Sequence, residues 1–172
     1  MVEIRNARPD EYHRVGELTV TAYRALEVDH LWGGYDDDIR DVETRAKHAD
    51  VLVAVDGDTV LGAVTFVGDA DSHWLEWTRP GEVQFRLLAV DDAARGRGIG
   101  EALARECTSR ANGRPICIHT TQWMPAARRL YERLGFVARP ERNVPYEEWH
   151  SPGEELPPAW IGTPFLAYTY RA

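Results

Sequence analysis

Apolar residues recur along this chain with two different periods, and each period predicts one type of secondary structure. In the first predicted helix, which begins near Pro9 and Asp10, they recur every three or four residues, at Val15, Leu18, Ala22 and Leu26. A second helix is predicted from about Asp37, with apolar positions at Ile39, Val42, Ala46 and Ala49. The polar segment DHLWGGYDDD (29–38) separates these two helices.

Apolar segments of strand length occupy much of the remaining chain. VLVAV (51–55) is apolar throughout, which is typical of a strand buried on both faces. The following DGD (56–58) predicts a hairpin that leads into TVLGAVTFV (59–67). Other strands are predicted at VEIRNA (2–7), EVQFRLLAV (82–90), PICIHT (115–120) and FLAYTYRA (165–172).

Two more helices complete the predicted elements. One carries a single apolar stripe, formed by Ile99, Leu103, Cys107 and Ala111, and the other is PAARRLYERLGF (125–136), with proline at its start and Gly135 at its end. The order β-α-α-β-β-β-α-β-α-β-β predicts a mixed α/β fold, with a central, partly antiparallel sheet and helices on both faces. A length of 172 residues fits a single domain over 1–172.

Composition and charge limit the classes of protein to which this chain can belong. The net charge of −8 argues against a nucleic-acid partner, because a protein that binds nucleic acid needs a broad basic surface. It favours a cationic or amine-bearing partner. Cys107 and Cys117 are expected to be reduced core residues. The N-terminus has no signal-peptide pattern, and no apolar run approaches the roughly 20 residues of a membrane span. A cytoplasmic protein without membrane contact is therefore expected.

The segment RGRGIG (95–100) joins a predicted strand to a predicted helix. Unpaired N–H groups at a helix start attract anions, glycines allow close approach of the backbone, and arginines add positive charge. A dinucleotide fingerprint is excluded, because Glu101 and Leu103 occupy the third glycine position in the two registers, and a P-loop is excluded because the segment has no lysine. The pattern therefore predicts a site for a phosphate or pyrophosphate.

LLAVDDAARGRGIGEAL (87–103) resembles the acyl-CoA-binding segment of the GNAT superfamily of N-acetyltransferases, whose motif R/Q-x-x-G-x-G/A falls on Arg95, Gly98 and Gly100. AARRLYERLGF (126–136) is similar to a second motif of that family, at Ala127, Leu130, Tyr131, Gly135 and Phe136. The resemblance implies a three-layer GNAT-like fold with a six- to seven-stranded sheet. It also implies that acetyl-CoA binds to Leu88, Ala89 and Val90 on the strand and to Arg95, Gly96, Arg97, Gly98, Ile99 and Gly100 in the loop.

The sequence departs from the family pattern at two places. Met124 stands where the family often has a cofactor-binding asparagine, so that a polar contact would have to come from Thr120 or Thr121. The strand before the glycine loop carries Gln84 and Arg86, although the family often has a glutamate within it.

Acetyl transfer to an amine needs a group that takes a proton from the amine and a group that protonates the departing thiolate. The resemblance implies that Tyr131 is the acid. Glu82 is the first candidate for the base, since alternation places it on the face of Gln84 and Arg86. Other candidates are Glu76, His73, His119 and a chain of water molecules. The six histidines show no ligand spacing, so no metal is predicted.

The acceptor amine is expected between the first two helices and the segment before the fourth strand, where Trp32, Tyr35 and Glu76 are assigned to it. Asp36, Asp37 and Asp38 could attract a cation or cap the second helix. Four more tryptophans lie in SHWLEW (72–77) and in PYEEWHSPGEELPPAW (145–160). They could line a pocket, close over it, or form a homodimer interface.

The sequence thus favours an enzyme that transfers an acetyl group from acetyl-CoA to a primary amine of a small molecule or peptide, by direct attack in a ternary complex. The alternative is a catalytically silent acyl-CoA-binding sensor or scaffold of the same fold. Transfer of another acyl group, such as propionyl or succinyl, is a third hypothesis.

Overall fold

Antiparallel strands form the centre of the molecule in the computed structural model, which describes residues 1–26, 35–149 and 160–171. The first sheet has the order β1-β2-β3-β4, with β1 at Val2–Asn6, β2 at Asp50–Asp56, β3 at Thr59–Val67 and β4 at Gln84–Val90. In the second sheet, β8 (Pro164–Tyr170) pairs with β5 (Ile116–Thr120), β6 (Val137–Ala138) and β7 (Val144–Pro145).

Six α-helices lie among the described residues: α1 at Tyr12–Arg24, α2 at Tyr35–Arg40, α3 at Val42–Ala46, α4 at Ile99–Arg110, α5 at Pro125–Arg133 and α6 at Tyr146–Trp149. The predicted second helix is divided into α2 and α3. The division falls at Asp41, whose carboxylate accepts a hydrogen bond from the Thr44 N–H at 3.1 Å and so caps α3. Within the described ranges, no helix combines the length and apolarity needed to cross a membrane.

The side chains of β2 alternate between the two faces of the first sheet, and helices cover both faces, as predicted. Val51, Val53 and Val55 pack in one cluster with residues of α1 and α3. Leu52 and Ala54 belong to the other cluster, which contains the buried stripe of α4. The mixed α/β class is therefore confirmed, and the continuous apolar run of β2 reflects its burial on both faces.

The helix α4 crosses β3 at Gly62, where only glycine fits. A Cβ atom at this position would lie 2.9 Å from the Ala89 carbonyl oxygen and 2.9 Å from Ile99 Cγ2. The missing side chain lets the helix approach the sheet closely and fixes the position of the loop before it.

The strands β4 and β5 meet only at their beginnings. Val83 N–H donates to the Pro115 carbonyl at 2.9 Å, and Cys117 N–H donates to the Val83 carbonyl at 3.0 Å. Among the described residues, no other backbone hydrogen bond joins the two strands. The strands thus form two sheets joined by one parallel bridge, and β4 and β5 separate beyond it.

A bulge changes the course of β4 next to this opening. Ala89 pairs with Ala63 and Arg86 pairs with Thr65, so that two residues of β4, Leu87 and Leu88, lie opposite one residue of β3. Leu87 has a φ of +56°, which is unusual for a residue other than glycine. The bulge interrupts the pairing of β4 with β3 next to the gap, and the pairing resumes at Ala89.

Candidate functional site

The opening between β4 and β5 contains a cavity, here called the central cavity. One part of its wall comes from the bulge of β4, from the end of β5 and from α5: Leu87, Leu88, Thr120, Thr121, Met124, Ala127 and Tyr131. The aromatic and charged residues of the wall include Tyr23, Tyr35, Glu76, Trp77, Arg86, Trp149 and Phe165. Gln84, Phe85 and His119 also line the cavity. The separation of the strands therefore brings residues from distant parts of the chain to one site.

The glycine loop lies at the N-terminus of α4, as the sequence predicts. Gly96 and Gly98 both have a φ of +77°, and an added Cβ atom at either position would meet no atom within 4 Å. Such open space beside a helix N-terminus fits a pyrophosphate. Arg95 pairs with Asp92 at 2.7 Å and Arg97 with Asp56 at 3.2 Å, and all four side chains are largely exposed.

The start of α4 packs beside the end of β4. A Cβ atom at Gly100 would lie 3.5 Å from Val90 and 3.6 Å from Leu130 of α5. Ile99 and Ala89 are buried in the core, so only their backbones could face a ligand, whereas Leu88 lines the central cavity. The glycine loop therefore lies near the β4 side of the cavity.

Tyr131 lines the central cavity from α5 and is 7% exposed. Its ring packs against Phe85 at 5.8 Å and Phe136 at 5.7 Å between centroids. In the described part of the chain its hydroxyl has no hydrogen-bond partner. Burial raises the pKa of Tyr131, so the hydroxyl keeps its proton at neutral pH.

Thr120, Thr121 and Met124 lie together on the cavity wall, in the region where the family's asparagine is replaced. Both threonines are buried, and the Thr120 hydroxyl lies 3.5 Å from the Met124 sulfur. Two hydroxyl groups are thus available beside Met124, as the sequence predicts.

Glu82 does not line the central cavity. Both of its carboxylate oxygens accept hydrogen bonds from Arg142 at 2.7 Å, and one also accepts from the Arg79 N–H at 2.7 Å. Burial alone would raise the pKa of Glu82, but the hydrogen bonds from Arg142 and Arg79 outweigh it and lower the pKa. The geometry makes Glu82 part of a buried ion pair and argues against the predicted role as base.

Replacing Glu82 with glutamine is expected to destabilise the fold by about 3 kcal/mol at pH 7, since Arg142 would keep a buried charge without a partner. The folded-state pKa of Glu82 is lowered, so the stabilisation is present above its ordinary value of 4.5 and is lost as pH falls through the folded value. The difference between the two proteins in chemical denaturation should therefore shrink on acidification. Glu17→Gln, which breaks an exposed pair with Arg40, is the control and should cost less than about 1 kcal/mol. Equal losses in the two variants would contradict this assignment.

Of the other predicted bases, His119 and Glu76 line the central cavity, and His73 does not. Burial lowers the pKa of His119 to about 4, so its imidazole is neutral at pH 7. The nearby backbone of Arg142 opposes this lowering of the pKa. Neither ring nitrogen of His119, however, makes a hydrogen bond of normal geometry. The ring packs edge-on against Trp77 at 5.1 Å.

Arg86 links several residues of the aromatic and charged part of the cavity wall. Its guanidinium pairs with Glu76 at 2.7 Å and donates to the Tyr35 hydroxyl at 3.4 Å. The Gln84 side chain bonds both backbone groups of Glu76, at 3.2 and 3.1 Å, and thereby holds this segment against β4. Tyr35 and Glu76 thus reach the predicted site together, whereas Trp32 lies outside the described residues.

The acids and tryptophans near this part of the cavity wall have different partners and surroundings. Asp36 pairs with Arg24, and Asp37 lies 3.7 Å from Arg40, so two of the three aspartates have arginine partners. Trp77 and Trp149 line the central cavity, whereas Trp160 is buried against Tyr146. Among the tryptophans that the structure describes, some therefore line a cavity and others fill the core.

The sequence also matches a known family. The profile of the acetyltransferase (GNAT) domain family matches residues 47–138, which is more than half of the chain. This range contains β2 to α5, the glycine loop and Tyr131. The chain belongs to the GNAT acetyltransferase family.

Individual relatives agree with this family. A mycothiol acetyltransferase from Corynebacterium glutamicum is 30% identical over 105 residues, which cover 59% of this chain and 32% of that protein. The N-alpha-acetyltransferase RimI from Mycobacterium tuberculosis is 38% identical over 72 residues, covering 42% and 46% of the two chains. The matches thus span less than half the length of these curated relatives.

A solved structure agrees in fold. The protein yncA from Salmonella typhimurium, determined with its cofactor acetyl-CoA, has a TM-score of 0.67 and 19% identity, with 99% of this chain and 93% of the other covered. At this identity the likeness concerns the fold alone.

Proposed function

We propose that this chain transfers an acetyl group from acetyl-CoA to a primary amine. The observation that carries the proposal is the opening between β4 and β5, which has the glycine loop near one end and Tyr131 on its wall. The wall of the same cavity also carries aromatic and charged residues, beside which an amine would bind. Both substrates would therefore meet in one cavity, as direct transfer requires.

The glycine loop is proposed to bind the pyrophosphate of CoA through the N–H groups at the start of α4. Gly96 and Gly98 leave open space for it, and Arg95 and Arg97 can turn from their exposed pairs toward it. The edge of β4 that faces the gap from Leu88 to Val90, where no hydrogen bond to β5 is made among the described residues, would receive the pantetheine arm. Acetyl-CoA would supply the acetyl group that is transferred.

Tyr131 is proposed as the group that gives a proton to the departing sulfur. Its raised pKa keeps the proton on the hydroxyl until charge develops nearby, and its hydroxyl has no other partner in the described structure. Burial among Phe85 and Phe136 fixes the direction of the ring.

His119 is proposed as the base, in place of Glu82. It lines the cavity, it is neutral at pH 7, and both of its ring nitrogens lack hydrogen bonds of normal geometry. Glu82, in contrast, is held outside the cavity by Arg142. A neutral imidazole can accept a proton from the amine without repelling it.

Release of the CoA thiol tests this proposal. The wild-type protein should release thiol from acetyl-CoA only when an amine acceptor is present, with a matching mass increase of the acceptor. His119→Gln should lower kcat by about a hundredfold, with little change in acetyl-CoA affinity. Acetyl-CoA binding without thiol release across a broad panel of amines would favour the silent binding protein, and a normal rate in His119→Gln would remove His119 as the base.

A further inference from the structure

A second cavity lies beside the central cavity and shares part of its wall. The shared residues are Tyr35, Glu76, Arg86, Leu87 and Trp149. The rest of its wall includes Arg45 of α3 and Trp74 of the segment before β4. The five shared residues form the boundary between the two cavities.

Arg45 is a buried cation in this second cavity. It is 3% exposed, and one of its terminal nitrogens donates to the carbonyl oxygens of Ile39 at 3.1 Å and Asp38 at 3.4 Å. Its Nε has no hydrogen-bond partner, and no carboxylate pairs with it in the parts of the chain that are described. Burial lowers the pKa of Arg45 to about 10, so the side chain stays charged at pH 7.

Trp74 brings a second donor to the same cavity. Its indole Nε1 is buried and has no hydrogen-bond partner, while its ring stacks on His48 at 5.5 Å. A buried N–H group without an acceptor destabilises the fold, and such groups are rare in folded proteins. Two of them from separate elements in one cavity indicate that a ligand supplies the missing acceptors.

The acids that border the second cavity have other partners or stay in solvent. The Asp41 carboxylate caps α3, Glu76 pairs with Arg86 at 2.7 Å, and Asp38 is exposed. These acids disfavour a ligand with two negative charges. A guanidinium and an indole N–H beside them suit a single carboxylate, whose oxygens accept both hydrogen bonds.

We propose that the second cavity binds the carboxylate of the acceptor, which makes the acceptor an amino acid or another amine that carries a carboxylate. This inference rests on the proposed function. The carboxylate would lie near Arg45 and Trp74, and the rest of the molecule would pass along Tyr35 and Trp149 into the central cavity. The shared aromatic wall, where these two rings meet edge-on at 5.3 Å, favours an aromatic or apolar side group.

Calorimetric titration in the presence of saturating CoA tests the inference with phenylalanine, 3-phenylpropionate and phenethylamine. The two carboxylates should bind at least about tenfold more tightly than phenethylamine. Trp74→Phe removes the indole donor and leaves a smaller aromatic ring, and Arg45→Gln removes the charge. Each should weaken carboxylate binding by about tenfold, with the affinity for CoA unchanged.

Trp123→Phe and Arg40→Gln are the matched controls, because both residues lie outside the two cavities. They should leave carboxylate binding unchanged, and thermal melts of all variants separate lost binding from lost folding. The inference is overturned if neither carboxylate binds, if both bind no better than phenethylamine, or if Trp74→Phe and Arg45→Gln, while folded, bind carboxylates normally. A separate titration of each variant with CoA alone keeps these outcomes distinct from failure of the proposed function, which would appear as no binding of CoA.

Discussion

Replacing Gly98 with aspartate is expected to weaken acetyl-CoA binding by about a hundredfold or more, while the protein stays folded. The added side chain would enter the open space beside the start of α4, and its negative charge would lie where the pyrophosphate is proposed to bind. Aspartate tolerates the left-handed backbone better than most residues, and Gly98, with a φ of +77°, is the N-cap of α4, a position that aspartate also favours. Calorimetric titration with acetyl-CoA measures the effect.

Gly113→Asp is a matched control at the other end of the same helix. Gly113 has a φ of +79°, and an added Cβ atom there would also meet nothing within 4 Å. The control therefore carries the same added charge and nearly the same backbone conformation. It should bind acetyl-CoA like the wild type, and equal affinities in the two variants would show that the glycine loop does not hold the cofactor.

Tyr131→Phe is expected to lower kcat by about a hundredfold or more and to leave acetyl-CoA affinity nearly unchanged. The substitution removes the proton that the departing sulfur needs, but it keeps the ring that packs against Phe85 and Phe136. The hydroxyl makes no hydrogen bond within the described structure, so its loss should hardly alter stability. Steady-state kinetics and an acetyl-CoA titration separate the two effects.

Tyr168→Phe serves as the control for this substitution. Its ring lies 6.3 Å from that of Tyr131, and its hydroxyl donates to Glu132 at 3.0 Å and accepts from Arg128 at 3.3 Å. It does not line the central cavity, so its loss should affect stability more than kcat. A normal kcat in Tyr131→Phe would remove Tyr131 as the acid.

Local signals in the sequence were enough to predict much of the fold and the glycine loop. The helix start after Gly98 and the burial of β2 depend on residues that are neighbours in the chain, and the structure confirms both. The opening between β4 and β5 could not be predicted this way. It depends on where pairing between distant strands stops, and the bulge at Leu87 has no glycine or proline to indicate it.

The prediction of the base shows the same limit. Alternation predicts that Glu82 shares a face of the strand with Gln84 and Arg86, but β4 begins only at Gln84. The partner of Glu82, Arg142, lies 60 residues further along the chain. No local sequence pattern predicts this ion pair, and without knowledge of the pair Glu82 resembles a free carboxylate. The second cavity was missed for the same reason, because Arg45 and Trp74 are brought together only by tertiary packing.

The proposed function requires that the glycine loop and the opening beside it bind acetyl-CoA. A thermal melt of the wild-type protein with acetyl-CoA, CoA and NAD in parallel tests it most directly. A ligand present at about a hundred times its dissociation constant adds roughly 2.7 kcal/mol to the free energy of unfolding. The melting temperature should therefore rise with acetyl-CoA and CoA and stay unchanged with NAD. No rise with either CoA compound, or an equal rise with NAD, would contradict the proposal.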